Sequence, residues 1–136
     1  MKNYSKNLIF IVDDDPDDRQ IILDAFLENN AEVDYVFIES AEELMTKLYS
    51  DESDYPNLIL LDLNMPGILG LQALKEIRSN KILSQIPVIV LTTSTLTKDR
   101  KSSYELGASC FLIKPDAFGK LVEIVNAIVT LWLFKD

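Results

Sequence analysis

Short apolar runs closed by polar or turn residues alternate along this chain with stretches whose apolar residues recur every three or four positions. The first is a strand pattern and the second a helix pattern. Asn7 to Val12 is apolar and β-branched and ends in acid, which predicts strand one. Pro16, Asp17 and Asp18 predict a helix start, because proline fits the first helical position and carboxylates favour the first turn. Ile21, Ile22, Ala25 and Phe26 continue that helix until Asn29-Asn30 stops it. Val33 to Ile38 reads as strand two.

Ser40 caps a second helix, with Glu43 completing a capping box ahead of Leu44, Met45, Leu48 and Tyr49. After Pro56-Asn57, Leu58 to Leu63 has the near-continuous apolar character of a central parallel strand covered on both faces, with Asp62 as its exception. Asn64-Met65-Pro66-Gly67 is turn chemistry, with Gly67 and Gly70 relieving the backbone there. Leu71, Leu74, Ile77 and Arg78 mark a third helix to about Asn80. Val88 to Leu91 predicts strand four, the polar run Thr92 to Thr97 leads into a weaker fourth helix ending near Leu106-Gly107, and Ser109 to Ile113 predicts strand five. Five strands alternating with five helices, with no internal repeat, predict one α/β domain over residues 1–136: a five-stranded parallel sheet wound on both faces. The pattern alone leaves the strand order open.

From Leu121 to Phe134 the last helix is apolar at eleven of fourteen positions, with Glu123, Asn126 and Thr130 as a narrow polar stripe. A surface helix packed on one side carries a broader polar face. The surplus points to a partner that buries Trp132, Leu133 and Phe134, the alternative being a helix end folded back on its own core. The segment is too short to span a bilayer.

Composition narrows the function classes. With 48% hydrophobic and 26% charged residues over 136 positions, one globular domain is expected. The net charge of -9 disfavours nucleic acid and anionic membrane surfaces as partners. A lone Cys110 excludes an internal disulfide, and the absence of histidine excludes any imidazole base or ligand within the chain. The start of the chain is too short for a signal peptide or a membrane span, so a cytoplasmic location is expected.

The polar residues that interrupt the apolar runs gather at strand ends, where open α/β sheets bind ligands. Asp13 and Asp14 follow strand one, Asp62 closes strand three, Thr92 strand four and Lys114 strand five. Carboxylates this close repel unless cations compensate. Mg²⁺ suits such a site, because it takes one or two carboxylates and leaves room for phosphate oxygens. Between a metal and Lys114, Asp62 can take a phosphoryl group as an acyl phosphate, a transfer that needs positioning and charge neutralisation rather than a base.

In the order IVDDDPDDR, LLDLNMPG, VLTTS and FLIKP, the chain resembles the receiver domain of two-component response regulators along essentially its whole length. The resemblance implies a flavodoxin-like (CheY-like) sheet of order 2-1-3-4-5 and Asp62 as phosphoacceptor. It further implies Mg²⁺ ligated directly by Asp14, Asp62 and the backbone carbonyl of Asn64, with Asp13 acting through a water molecule. A one-residue shift to Asp14 and Asp15 is the alternative. Lys114 would contact the phosphoryl oxygens, Thr92 would move toward them, and Phe111 occupies an aromatic switch position. The implied partners are a sensor histidine kinase and a downstream protein target. No output domain is expected after the fifth helix, so the reading is of a stand-alone receiver, a phosphoacceptor that signals by changing the face near strands 4–5 and helices 4–5 and is not an enzyme. The stretches LTTSTLTKDRKSSYELGASCFLIKP and IVNAIVTLWLF also resemble the small receivers that partner phytochrome-type histidine kinases, and imply a homodimer involving helix 5.

Plainer readings stand beside these. Asp13 and Asp14 could cap helix one, the role assigned to Asp17 and Asp18; Lys114 could be a surface lysine, and Phe111 ordinary core. Two other functions compete: a Mg²⁺-dependent phosphohydrolase with an aspartyl-phosphate intermediate, and a binding module that works without phosphorylation. The hydrolase reading meets Asn64 where such enzymes carry a second aspartate, and finds no insertion to enclose a substrate.

Overall fold

Alternation along the strands decides where the helices pack. In a computed structural model that describes residues 7–65 and 69–133, β1 (Leu8–Val12) is buried along its whole length. Successive side chains of a strand point to opposite faces, so Leu8, Phe10 and Val12 join one core and Ile9 and Ile11 another. The remaining elements follow as α1 (Pro16–Leu27), β2 (Asp34–Ile38), α2 (Ala41–Tyr49), β3 (Leu58–Leu61) and α3 (Leu69–Ser79). After a 3₁₀ turn at Leu83–Gln85 come β4 (Val88–Thr92), α4 (Thr97–Glu105), β5 (Cys110–Ile113) and α5 (Phe118–Trp132).

All strand pairs are parallel, in the order β2-β1-β3-β4-β5, as the resemblance implied. Leu44 and Leu48 of α2 and Ala73, Leu74 and Ile77 of α3 cover the face carrying Phe10, Ile59 and Val90. Ile22, Ala25 and Phe26 of α1 and Leu121, Val125, Ile128 and Val129 of α5 cover the face carrying Ile9, Leu60 and Ile89. The chain crosses from β2 back past β1 to β3, which makes the crevice between the carboxyl ends of β1 and β3 the place for a ligand.

Local signals account for most boundaries. The Ser40 hydroxyl accepts the Glu43 N–H at 3.0 Å, so the predicted cap is present. Gly107 takes a φ of +102° just past α4, a conformation that favours glycine. A Cβ there would also stand 2.6 Å from Cγ of Arg78. That arginine, read from the sequence only as a helix marker, donates to the carbonyls of Gly107, Ser84 and Ile86 and to Oγ of Ser109. It ties the end of α3 to the entries of β4 and β5.

Three expectations change. Strand three stops at Leu61, so Asp62 lies just beyond it rather than within it, with its N–H still donating to the Val12 carbonyl at 3.0 Å. Helix five starts at Phe118, earlier than its apolar stretch. At its other end Leu133 is buried against the core shared by α1 and α5, and Trp132 is half-buried there. The leftover face expected at Trp132 and Leu133 is therefore largely consumed within the chain, because the last turn folds onto its own sheet. Phe134, and the turn residues Pro66 and Gly67, lie outside the described residues. No helix among the described residues is long and apolar enough to cross a membrane.

Candidate functional site

Register brings the strand-end residues together. Val12 pairs with Leu61, so the next residue on each strand, Asp13 and Asp62, emerges at the same sheet edge. Thr92 pairs with Ile113, and the Lys114 N–H donates to the Thr92 carbonyl at 2.7 Å, which sets Lys114 beside the same crevice. Asp13 and Asp62 are almost fully buried, whereas Asp14 is exposed. One carboxylate oxygen from each of Asp13, Asp14 and Asp62 lies within 4.8 Å of the others.

Every acidic oxygen of the buried pair has a partner. Asp13 accepts the Asp15 N–H through Oδ1 at 2.9 Å and Lys114 Nζ through Oδ2 at 2.7 Å. Asp62 accepts the Asn64 N–H through Oδ1 at 2.9 Å and Lys114 Nζ through Oδ2 at 3.1 Å. Burial pushes the Asp13 carboxyl above its ordinary pKa, opposed by the Lys114 hydrogen bond. For Lys114, burial acts against the ammonium, but hydrogen bonds to Asp13 and Asp18 and the charges of Asp62 and Asp13 outweigh it and raise the pKa. The lysine is a fixed positive charge.

Thr92 is buried, and its Oγ1 accepts the Ser94 N–H at 3.3 Å. The Asn64 side-chain amide donates to Oγ1 of Thr93, linking the loops after β3 and β4. Phe111 is buried within the core under α2 and α3, and its N–H donates to the Tyr104 hydroxyl at 3.0 Å. The structure thus brings Asp13, Asp14, Asp62, Asn64, Thr92 and Lys114 to one crevice and sets Phe111 apart in the core. The donor set is all oxygen beside one ammonium, which fits a hard divalent cation and a phosphoryl group.

A sequence profile of the response regulator receiver domain matches residues 9–126. The chain belongs to this family. Response regulator Rcp1 of Synechocystis is 34% identical over 130 residues, covering 93% of this chain and 88% of Rcp1. The Mn²⁺-bound form of Rcp1 superposes with a TM-score of 0.84 at 33% identity, covering 96% of both chains. The phosphorylated cyanobacterial phytochrome response regulator RcpA gives 0.86 at 33% identity, covering 94% of both. Other relatives are longer: the chain spans 49% of the length of response regulator Rre1.

Within this receiver, the sequence reading missed three residues. Asp15 accepts the N–H groups of Asp17 and Asp18 and is the N-cap of α1, the role that had been given to Asp17 and Asp18. Asp18 instead reaches Lys114 Nζ at 2.9 Å. Arg19 donates to the Asp13 carbonyl at 2.6 Å and so braces the end of β1. A helix starting at Pro16 turns its first-turn residues back toward the strand ends, the one signal that pointed to Asp18 and Arg19.

Proposed function

We propose that this receiver accepts a phosphoryl group on Asp62 from a phosphohistidine of a sensor histidine kinase and signals through the resulting change of surface. The observation that carries this reading is the near-buried Asp62 carboxylate, held between two further aspartates and the Lys114 ammonium. In the transfer, the donor's P–N bond breaks as a bond forms from an Asp62 carboxylate oxygen to phosphorus, and the imidazole leaves. Lys114 offsets charge on the phosphoryl oxygens, and the Thr92 hydroxyl turns to donate its proton to one of them. Asp14, Asp62 and the Asn64 carbonyl would hold Mg²⁺ directly, with Asp13 acting through a water molecule. The ion would supply positive charge that offsets the phosphoryl oxygens. With Asp15 engaged as a helix cap, the pair Asp13 and Asp14 is preferred to Asp14 and Asp15.

The movement of Thr92 is passed to the loop before α4 and to Phe111 at the aromatic switch position. Likeness to the phytochrome response regulator RcpA supports a phytochrome-type kinase as donor. A downstream protein reads the face of β4, β5, α4 and α5. For a homodimer through α5, exposed Leu131 and Phe118 supply apolar area and Leu133 does not. The hydrolase reading is disfavoured by Asn64, which lacks the acid for a second step. Assistance by the receiver to its own phosphorylation and dephosphorylation follows from the same charges.

Intact-mass analysis after incubation with acetyl phosphate tests the assignment. One Mg²⁺-dependent phosphoryl adduct is expected on the wild type and none on Asp62→Asn or in EDTA. A wild type that stays unmodified while a control receiver is labelled would leave a binding module independent of phosphorylation.

A further inference from the structure

An ammonium has three N–H donors, and at Lys114 three carboxylates take them: Asp13 at 2.7 Å, Asp18 at 2.9 Å and Asp62 at 3.1 Å. The partners are not alike. The side chains of Asp13 and Asp62 are 2% and 4% exposed, whereas that of Asp18, in the first turn of α1, is 37% exposed. Asp18 and Lys114 share the wall of an open cleft of about 270 Å³ with Thr93, Pro115 and Phe118. A phosphoryl group arriving at Asp62 therefore meets a lysine whose donors are all in use, with one more carboxylate on the solvent side.

We propose that Asp18 is a positioning residue that acts through Lys114, holding its outward N–H and competing with the phosphoryl group for it. This deepens the phosphoacceptor reading and rests on it. Phosphorylation of Asp62 neutralises its own carboxylate and frees the N–H it holds. A further phosphoryl contact must displace Asp18 or Asp13, and release costs less at Asp18, where a partly exposed carboxylate regains water, whereas a released Asp13 would be a buried charge without its partner. Charge works in the same direction. A carboxylate beside Lys114 opposes a dianionic newcomer, so neutralising it both frees a donor and removes a repulsion. Asp18 thereby sets how tightly the crevice holds a phosphoryl group without touching Asp62 or the metal-binding trio.

Calorimetric titration of beryllofluoride, a phosphoryl mimic, at saturating Mg²⁺ tests this with the full chain. Asp18→Asn and Asp18→Ala are expected to bind it on the order of threefold to tenfold more tightly than wild type, the scale of a partly exposed ion pair. Asp18→Glu keeps the charge and the reach, and is expected to return the affinity to the wild-type value. Unfolding midpoints without beryllofluoride check that each variant is folded, a readout that a purely structural Asp18 would move while leaving the affinity alone. Affinities for Asn and Ala within about twofold of wild type would make Asp18 a bystander, and weaker binding would make it a support for Lys114; either overturns the proposal. A wild type that binds no beryllofluoride overturns the phosphoacceptor reading itself, whereas tight wild-type binding with unchanged variants removes only the role of Asp18.

Discussion

Lys114 is where burial and charge oppose each other most directly. Its pKa is raised above the ordinary 10.5, so the folded chain holds this proton more firmly than the unfolded one. The stability it contributes is fully present below pH 10.5 and falls as the pH climbs from there through the higher folded value. Tyr35 and Tyr49, both raised from 10.0, the first by burial and the second by its bond to Glu76, add to the same alkaline loss. Urea melts of wild type and Lys114→Gln between neutral and strongly alkaline pH should show a flatter decline in the variant, the difference being the lysine's share. Arg78 makes the complementary case. Among the described residues no carboxylate pairs with its guanidinium, and burial lowers its pKa, yet it satisfies three carbonyls and a hydroxyl. Arg78→Met is expected to destabilise by about 2–4 kcal/mol through the acceptors it leaves unpaired, measured as a lower urea midpoint with unchanged slope. The role of Arg78, only a helix marker in the sequence, was not legible there, and Lys114 was legible as the cation beside Asp62 but not as the partner of Asp18, because such contacts depend on which distant chain segments come near.

At the scale of elements, the sequence was a good guide wherever a local cause operates. Asn29-Asn30, Ser40 and Gly107 each mark a boundary that the structure keeps within a residue or two. The start of α1 was less legible, since with five aspartates in the six residues from Asp13 to Asp18 the residue types are identical and only position separates their roles. Asp15 turns its carboxylate to the helix N–H groups while Asp14 turns toward Asp62. Asp15→Ala should therefore cost about 0.5–2 kcal/mol of stability in chemical denaturation, the usual price of a lost N-cap. Calorimetry should find Mg²⁺ affinity within about threefold of wild type in Asp15→Ala and reduced by tenfold or more, roughly, in Asp14→Ala. A loss of roughly tenfold or more in the Asp15 variant as well would return the assignment to the shifted pair, Asp14 and Asp15. Helix α5 shows the opposite limit. Its apolar surplus was visible, but whether that surplus meets a partner or its own sheet depends on where the last turn lies, and Leu133 lies inward.

For the whole molecule, the net charge of -9 and the aspartates gathered at one crevice mean that a cation bound there should stabilise the fold. Mg²⁺ at about a hundred times its Kd is expected to add about 2.7 kcal/mol to unfolding stability by mass action. NaCl of equal ionic strength, which only screens, should add less, and Asp62→Asn should lose most of the Mg²⁺-specific part; urea melts measure all three. The sequence by itself determined the alternation of strands and helices, the two-sided burial of the sheet, and the kinds of group at the strand ends, because periodicity, capping and turn chemistry act over a few residues. The motifs implied through family resemblance which ends meet, and the tertiary structure supplied the contacts by which they do. The order β2-β1-β3-β4-β5 and the pairings Val12 with Leu61 and Thr92 with Ile113 place Asp13, Asp62 and Lys114 at one edge. The same packing sends Asp18 to Lys114, Asp15 to its own helix and Leu133 into the core. Contacts between residues far apart in the chain are selected by how whole elements pack, and no local pattern carries that information.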